Sequence, residues 1–204
     1  MTDAASTGAE AGPGRRGPGR PPDLVKRRAV LDATLELLAE VGYGSLTIDA
    51  VAQRAGSNRA LIYRVWDSKV SLVGDALFGS VVDLVVPDTG SVRSDLRSFI
   101  AQQVERMHHP AYIMGVPGLT VELLTDPDLF RDTNERYIEP SVAGFRAILD
   151  RARDRGEVTN PPDPWVFTYV VSGTTTGLSQ ASRLSVEQIT DLLMDMMLGG
   201  LLKN

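Results

Sequence analysis

Asn58, Arg59 and Arg64 are the polar residues of one short segment, with the apolar Leu61 and Ile62 between them. A carboxamide and two guanidinium forks are shaped to make paired hydrogen bonds to base edges, and the cations also attract phosphate. Rival chemistries are weak or absent. The chain contains no cysteine, which excludes a disulfide scaffold, a thiolate metal site, a cysteine nucleophile and a Cys-x-x-Cys redox pair. No nucleophile, base and acid assemble into a catalytic set. The two histidines, His108 and His109, are adjacent, and neighbours on a helix point about 100° apart, so they do not make a two-histidine metal face. Beside Pro110 they read as caps of a helix C-terminus, where a cation is favoured. A polar contact in a ligand pocket is the alternative. Capping and solvation account for Glu122, Asp126 and Asp128 without a metal. The residues therefore predict no enzyme, no metal and no cofactor.

The charge distribution points the same way. The 204 residues carry 21 Lys+Arg and 26 Asp+Glu, a formal net charge of −5. Residues 14–72 nevertheless hold ten Lys/Arg against six Asp/Glu, whereas residues 73–204 hold eleven against eighteen. A basic head on an acidic body predicts a polyanionic partner for the head alone. Residues 1–22 contain no large apolar residue after Met1 and cannot bury enough surface to offset ordering entropy, so a disordered arm is expected there. Its second half is basic, with Arg15, Arg16 and Arg20. No apolar stretch follows these cations as a secretory signal requires, and no apolar run is long enough to span a bilayer. A reducing cytoplasm fits these features.

The elements that must position the polar stretch are helical. Apolar spacing of the helical kind runs through the rest of the chain, no strand alternation is visible, and an all-α chain of about nine helices is expected. A first helix opens at an Asp23 cap, carries Val30, Ala33, Leu37, Leu38 and Val41 inward, and ends at Gly42. Thr47 caps a short second helix, and Gly56 stops it. A third short helix from Asn58 carries the apolar Leu61, Ile62 and Val65. Asp67 or Ser68 caps a fourth helix that holds Leu72, Ala76, Leu77 and Val81. Two short helices joined at Gly56 have helix-turn-helix spacing. In that motif the first braces across the phosphate backbone and the second presents its N-terminal side chains to the major groove. Further on, Leu96, Phe99, Ile100, Val104 and Met107 align on a helix over 91–107. Residues 111–125 are apolar but read as broken by Gly115, Pro117 and Gly118. Asp126-Pro127 opens a long helix to about residue 155, which Pro140 should kink. Asp163-Pro164 repeats that start signal, and Ser185 with Gln188 forms a capping box for the last helix.

The stretch from Thr47 to Leu72 resembles the DNA-binding domain of the TetR/AcrR family of repressors. The resemblance rests on Thr47-Ile48-Asp49-Ala50-Val51-Ala52-Gln53-Arg54-Ala55-Gly56, then Leu61-Ile62-Tyr63-Arg64-Val65-Trp66-Asp67-Ser68-Lys69-Val70-Ser71-Leu72, with a Gly42-Tyr43 corner before them. It implies that Thr47 caps the second helix and touches phosphate, that Arg59 and Ala60 face bases, and that Tyr63 and Lys69 contact phosphate. Trp66 would wedge between head and body, or serve as a core aromatic. Ser57-Asn58, Leu61 and Val65 depart from the usual pattern, and Val65 removes one expected phosphate contact. Arg16-Gly17-Pro18-Gly19-Arg20-Pro21 resembles the core of AT-hook peptides, which implies Arg16 and Arg20 in a narrow minor groove.

The family resemblance divides the chain into a disordered basic arm (1–22), a helix-turn-helix head (23–72) and a ligand-binding and dimerisation body (73–204). Met107, Tyr112, Met114, Phe130, Tyr137, Phe145, Trp165 and Tyr169 are the candidate pocket residues, with plain core packing as the alternative for many of them. Gly173-x-x-x-Gly177 permits close helix approach, and Ile189, Leu193, Met196 and Met197 belong to a wide apolar face on the last helix. Paired across a two-fold axis these would form a four-helix dimer interface. The expected function is a homodimeric, cytoplasmic transcriptional regulator on palindromic double-stranded DNA, a repressor released by a small, mostly apolar effector. An architectural DNA-binding protein without effector and a helical small-molecule carrier are the alternatives.

Overall fold

A computed structural model describes residues 22–79 and 84–201. Among the described residues the chain is helical and without strands. The order is α1 (Pro22–Ser45), α2 (Ile48–Arg54), α3 (Arg59–Tyr63), α4 (Lys69–Phe78), α5 (Val92–Met107), α6 (Pro110–Thr125), α7 (Pro127–Thr133), α8 (Glu139–Asp154), α9 (Pro164–Ala181) and α10 (Val186–Leu201). A π turn, Asn134–Ile138, joins α7 to α8, so the described helices form nine segments, as expected, and the first is interrupted at Gly42 (φ 72°, ψ 173°), where the sequence reading ended it. The arm with Arg16 and Arg20 lies outside the described residues, except that Pro22 already opens α1 ahead of Asp23; Val81 also lies outside.

Most helix starts lie where short polar side chains can satisfy the free N–H groups of a first turn. Thr47 accepts from the Ala50 N–H at 3.2 Å and Asn58 from that of Leu61 at 3.0 Å. Ser68, rather than Asp67, caps α4. Asp126 and Asp163 each accept two backbone N–H groups, and Ser185 and Gln188 cap one another reciprocally. The start of α5 is different. Ser91 makes no capping bond, and the Val92 N–H donates instead to Glu157 at 2.7 Å. That bond, with Arg155 beside it, holds the Glu157 carboxyl below its ordinary pKa. The histidine pair divides. His108 is the C-cap of α5, as expected, and its ring lies 3.0 Å from Ser179, whereas His109 accepts from the Ala111 N–H and caps the start of α6.

The segment read as broken at Gly115, Pro117 and Gly118 is one uninterrupted helix, α6. Tertiary packing overrides its poor propensity. A side chain at Gly118 would come within 2.7 Å of the Tyr43 ring, so glycine is what lets α6 lie against the end of α1. Pro117 cannot donate to the Ile113 carbonyl, which receives a long 3.5 Å contact from Gln180 on α9. The distortion expected at Pro140 takes the form of the π turn just before it, where the Glu139 N–H returns to the Asn134 carbonyl. π turns of this kind occur often at functional sites.

Buried residues form two apolar clusters. One unites α1–α4 with α6 through residues such as Leu38, Val51, Ile62, Trp66, Leu72 and Leu119. The other unites α5, α8, α9 and α10 through Phe99, Ile100, Phe145, Ile148, Val171 and Leu193. The first packs across the junction at residues 72 and 73, so α4 belongs mechanically to both head and body.

Candidate nucleic-acid interface and body cavity

Helix α3 is held by its buried Ile62 and turns Arg59, Ala60, Tyr63 and Arg64 to solvent. The angle between α2 and α3 is set at Gly56, whose φ of 59° is a conformation that favours glycine. The Ser57 N–H there returns to the Ala52 carbonyl at 2.8 Å. Arg59 lies over the Tyr63 ring at 5.3 Å and pairs with Asp49 at 3.3 Å. The Asn58 side-chain oxygen is committed to its cap, which leaves its NH₂ group for outside partners. Other cations of the head have internal partners. Arg54 binds Glu36 and Glu40, and Arg27 binds Asp75. Lys69 is half-buried, donates to the Tyr43 carbonyl at 2.6 Å and sits 4.1 Å from the centre of its ring. The Tyr43 hydroxyl in turn donates to Glu122 on α6 at 2.6 Å, and burial together with that carboxylate pushes its pKa well up.

Asp75 lies at the centre of a joint that the sequence reading missed. It is 7% exposed and accepts from Arg27 at 2.7 Å, from Trp66 Nε1 at 2.8 Å and from the Tyr137 hydroxyl, with Arg136 at 3.2 Å. Burial alone would raise its pKa, yet the donors from Tyr137, Trp66, Arg136 and Arg27 together hold it below the ordinary value. One carboxylate thus ties α1, the α3–α4 corner, α4 and the π turn. Trp66 is a buried core aromatic at this joint. A lone acid inside the apolar run Leu72–Phe78 was the available signal.

The body encloses a cavity of about 370 Å³. Met107, Tyr112, Phe130, Tyr137 and Tyr169 line it, joined by Phe78 from α4, Gln103 and Arg106 from α5, Val116, Thr120 and Leu123 from α6, and Thr168, Ser172, Gly173 and Thr176 from α9. Phe78 meets Tyr112 edge-on at 5.4 Å and Tyr137 at 5.6 Å. Three expected wall residues are elsewhere. Phe145 is 0% exposed between Phe99 and Phe167 in the second core, because α8 turns that face inward. Met114 is exposed on α6 beside Gly42. Trp165 stacks on Tyr169 outside the wall, at the first turn of α9.

Gly173 and Gly177 are exposed on α9, and nothing lies near the space a Cβ would fill at either. With Val166 and Val170 they form a small, apolar stripe on one face of α9, and Leu192 and Met196 are exposed on α10. Ile189 and Leu193 are not part of that surface. Both are 0% exposed, because the strongest apolar face of α10 is turned onto α5. Met197 is half-buried against the same core.

Residues 30–76 match the family model for bacterial regulatory proteins, tetR family, and residues 86–186 match that for the tetracyclin repressor-like C-terminal domain. The chain is similar to the uncharacterized HTH-type transcriptional regulator YdeS of Bacillus subtilis, with 28% identity over 161 residues, 76% of this chain and 78% of the relative. It is 30% identical over 135 residues to the DNA-binding transcriptional repressor TetR of Mycobacteroides abscessus, 63% of this chain and 68% of that one. The crystal structure of the transcriptional regulator FadR from Bacillus subtilis in complex with stearoyl-CoA has a TM-score of 0.67, covering 85% of this chain and 98% of FadR. At 16% identity, that likeness is one of fold. Among the described residues no helix is long and apolar enough to cross a membrane, and no cluster of potential metal ligands occurs.

Proposed function

The chain belongs to the TetR family of DNA-binding transcriptional regulators, and from that premise we propose that it is a cytoplasmic homodimeric repressor that leaves a palindromic operator when a small, mostly apolar effector enters the body cavity. In this reading the arm is residues 1–22, the DNA-binding head 23–72 and the effector and dimer domain 73–204. Arg59 and Ala60 face bases, with Asn58 and Arg64 beside them. Thr47, Tyr63 and Lys69 contact phosphate, and Arg16 and Arg20 follow the minor groove. The stripe of Val166, Val170, Gly173 and Gly177 pairs with its two-fold mate, with Leu192 and Met196 at its side.

One observation carries the reading: α4 runs from the DNA face to the cavity. Lys69 begins it, Asp75 forms the joint in its middle and Phe78 ends it in the cavity wall. Tyr137 completes the link, since its ring lines the cavity while its hydroxyl holds Asp75. An effector that moves Tyr137 or Phe78 therefore loads α4 and the Trp66 corner together, and the heads of a dimer lose their spacing. The ligand must prefer one state, and a coupling of ~1–3 kcal/mol changes operator affinity about 5–150-fold.

Selection from random duplexes with purified protein tests this. The expected product is an inverted repeat bound by two copies, with half-site centres ~34–36 Å apart or a multiple of that. Binding of a single copy to an asymmetric site overturns the dimer. Tyr137→Phe is expected to keep operator binding and blunt the response to cavity ligands. An unchanged response removes Tyr137 from the link.

A further inference from the structure

We propose that the effector is an organic monocarboxylate with an apolar body, and that Arg106 receives its carboxylate with Gln103 and Tyr112 alongside. This rests on the cavity being the effector site. Among the described residues, Arg106 Nε and Nη1, Gln103 Nε2 and the Tyr112 hydroxyl are buried without a hydrogen-bond partner, and all three side chains line the same cavity. Buried polar groups are nearly always satisfied, so three unsatisfied donor side chains in one wall point to a missing acceptor. The acceptor side is already occupied. Gln103 Oε1 takes Arg106 Nη2 at 3.1 Å and the Ser141 hydroxyl at 3.2 Å.

Charge fixes the class further. Among the described residues Arg106 is the only Lys, Arg, Asp or Glu in the cavity wall, so a monoanion balances it and a dianion does not. Nη2 already serves Gln103, so the free Nε and Nη1 lie on different edges of the guanidinium, and a carboxylate oxygen takes a charge-assisted hydrogen bond from one of those edges. Burial pushes the Tyr112 pKa up to about 12, and Arg106, whose charge and N–H groups face the hydroxyl oxygen, opposes this only in part, which leaves the hydroxyl proton to be donated. Depth fixes the orientation. Gln103 is 1% exposed and Tyr112 5%, whereas Phe130 and Tyr169 are open to solvent. The carboxylate goes to the inner end, and the body lies along Phe78, Met107, Val116, Leu123 and Ile138.

The test uses the full chain and a panel of alkyl and aryl monocarboxylates, including decanoate and naphthylacetate, each paired with its uncharged amide. Calorimetry is expected to show at least one acid bound about tenfold or more tightly than its amide, from charge-assisted hydrogen bonds. Arg106→Met should bring that ratio close to one, and Arg106→Lys should retain part of it. No acid bound more tightly than its amide overturns the proposal, as does a preference that survives Arg106→Met in protein with wild-type circular dichroism. Operator binding separates the two claims. An Arg106-dependent acid that leaves operator affinity unchanged sinks the effector reading and keeps the anion site. A neutral cavity ligand that releases the operator, with no acid preferred over its amide, does the reverse.

Discussion

Two polar clusters lie on either side of the Tyr137 and Phe78 rings, and they are opposites. Around Asp75 a buried acceptor is surrounded by donors from three parts of the chain. Around Arg106 the buried donors outnumber the acceptors. A saturated cluster holds the protein together, because removing its centre strands several partners at once. An unsaturated cluster costs stability until something completes it. The contrast separates a structural joint from a binding site, although both are charged groups among apolar helices.

The largest effect should come from the saturated side. Asp75→Ala is expected to destabilise the fold by about 3 kcal/mol in urea unfolding, since it leaves Trp66 and Tyr137 without their acceptor. A loss close to zero would mean that the joint is decorative. The same carboxylate predicts a pH dependence. Its folded pKa lies below the ordinary value, so its stabilisation is complete above the ordinary carboxylate range and disappears as pH falls through the lowered value. Urea midpoints from about pH 6 to about pH 3 should therefore fall more steeply for the wild type than for Asp75→Asn. Parallel curves would assign the acid sensitivity elsewhere.

Smaller effects sharpen the contrast. Tyr137→Phe removes one donor of the joint and should cost about 1 kcal/mol. Arg106→Met should change ligand-free stability by no more than about 1 kcal/mol, because the loss of the bond to Gln103 is offset by the removal of two buried donor atoms that had no acceptor. A large loss there would make Arg106 structural. Smallest of all, Arg59→Ala should shift stability within about 0.5 kcal/mol while altering the selected operator sequence. Lys69→Ala offers a check on the head. As a phosphate contact it should lower the salt slope of DNA binding by about one. A lost Tyr43 contact with an unchanged slope would leave it only a brace between α1 and α4.

The residues by themselves determined the helical class, most helix starts and the helix-turn-helix. These depend on local causes: apolar spacing, a capping oxygen within three residues, a glycine at positive φ. The same local signals placed Tyr112 and Tyr137 near a cavity, because aromatic residues on inward faces of several helices must meet. They could not say which inward face ends in a void and which in a core, so Phe145, Ile189 and Leu193 were assigned to surfaces they do not reach. They also misread α6, where Gly118 serves close packing against Tyr43 and Gly115 against Leu38 and Leu77 rather than a break. Gln103 and Arg106 look in sequence like ordinary polar positions beside an apolar stripe. Only the tertiary structure decided that Asp75 is saturated and Arg106 is not, because a hydrogen-bond partner is supplied by helices distant in the chain, and no spacing rule within one helix records where they arrive.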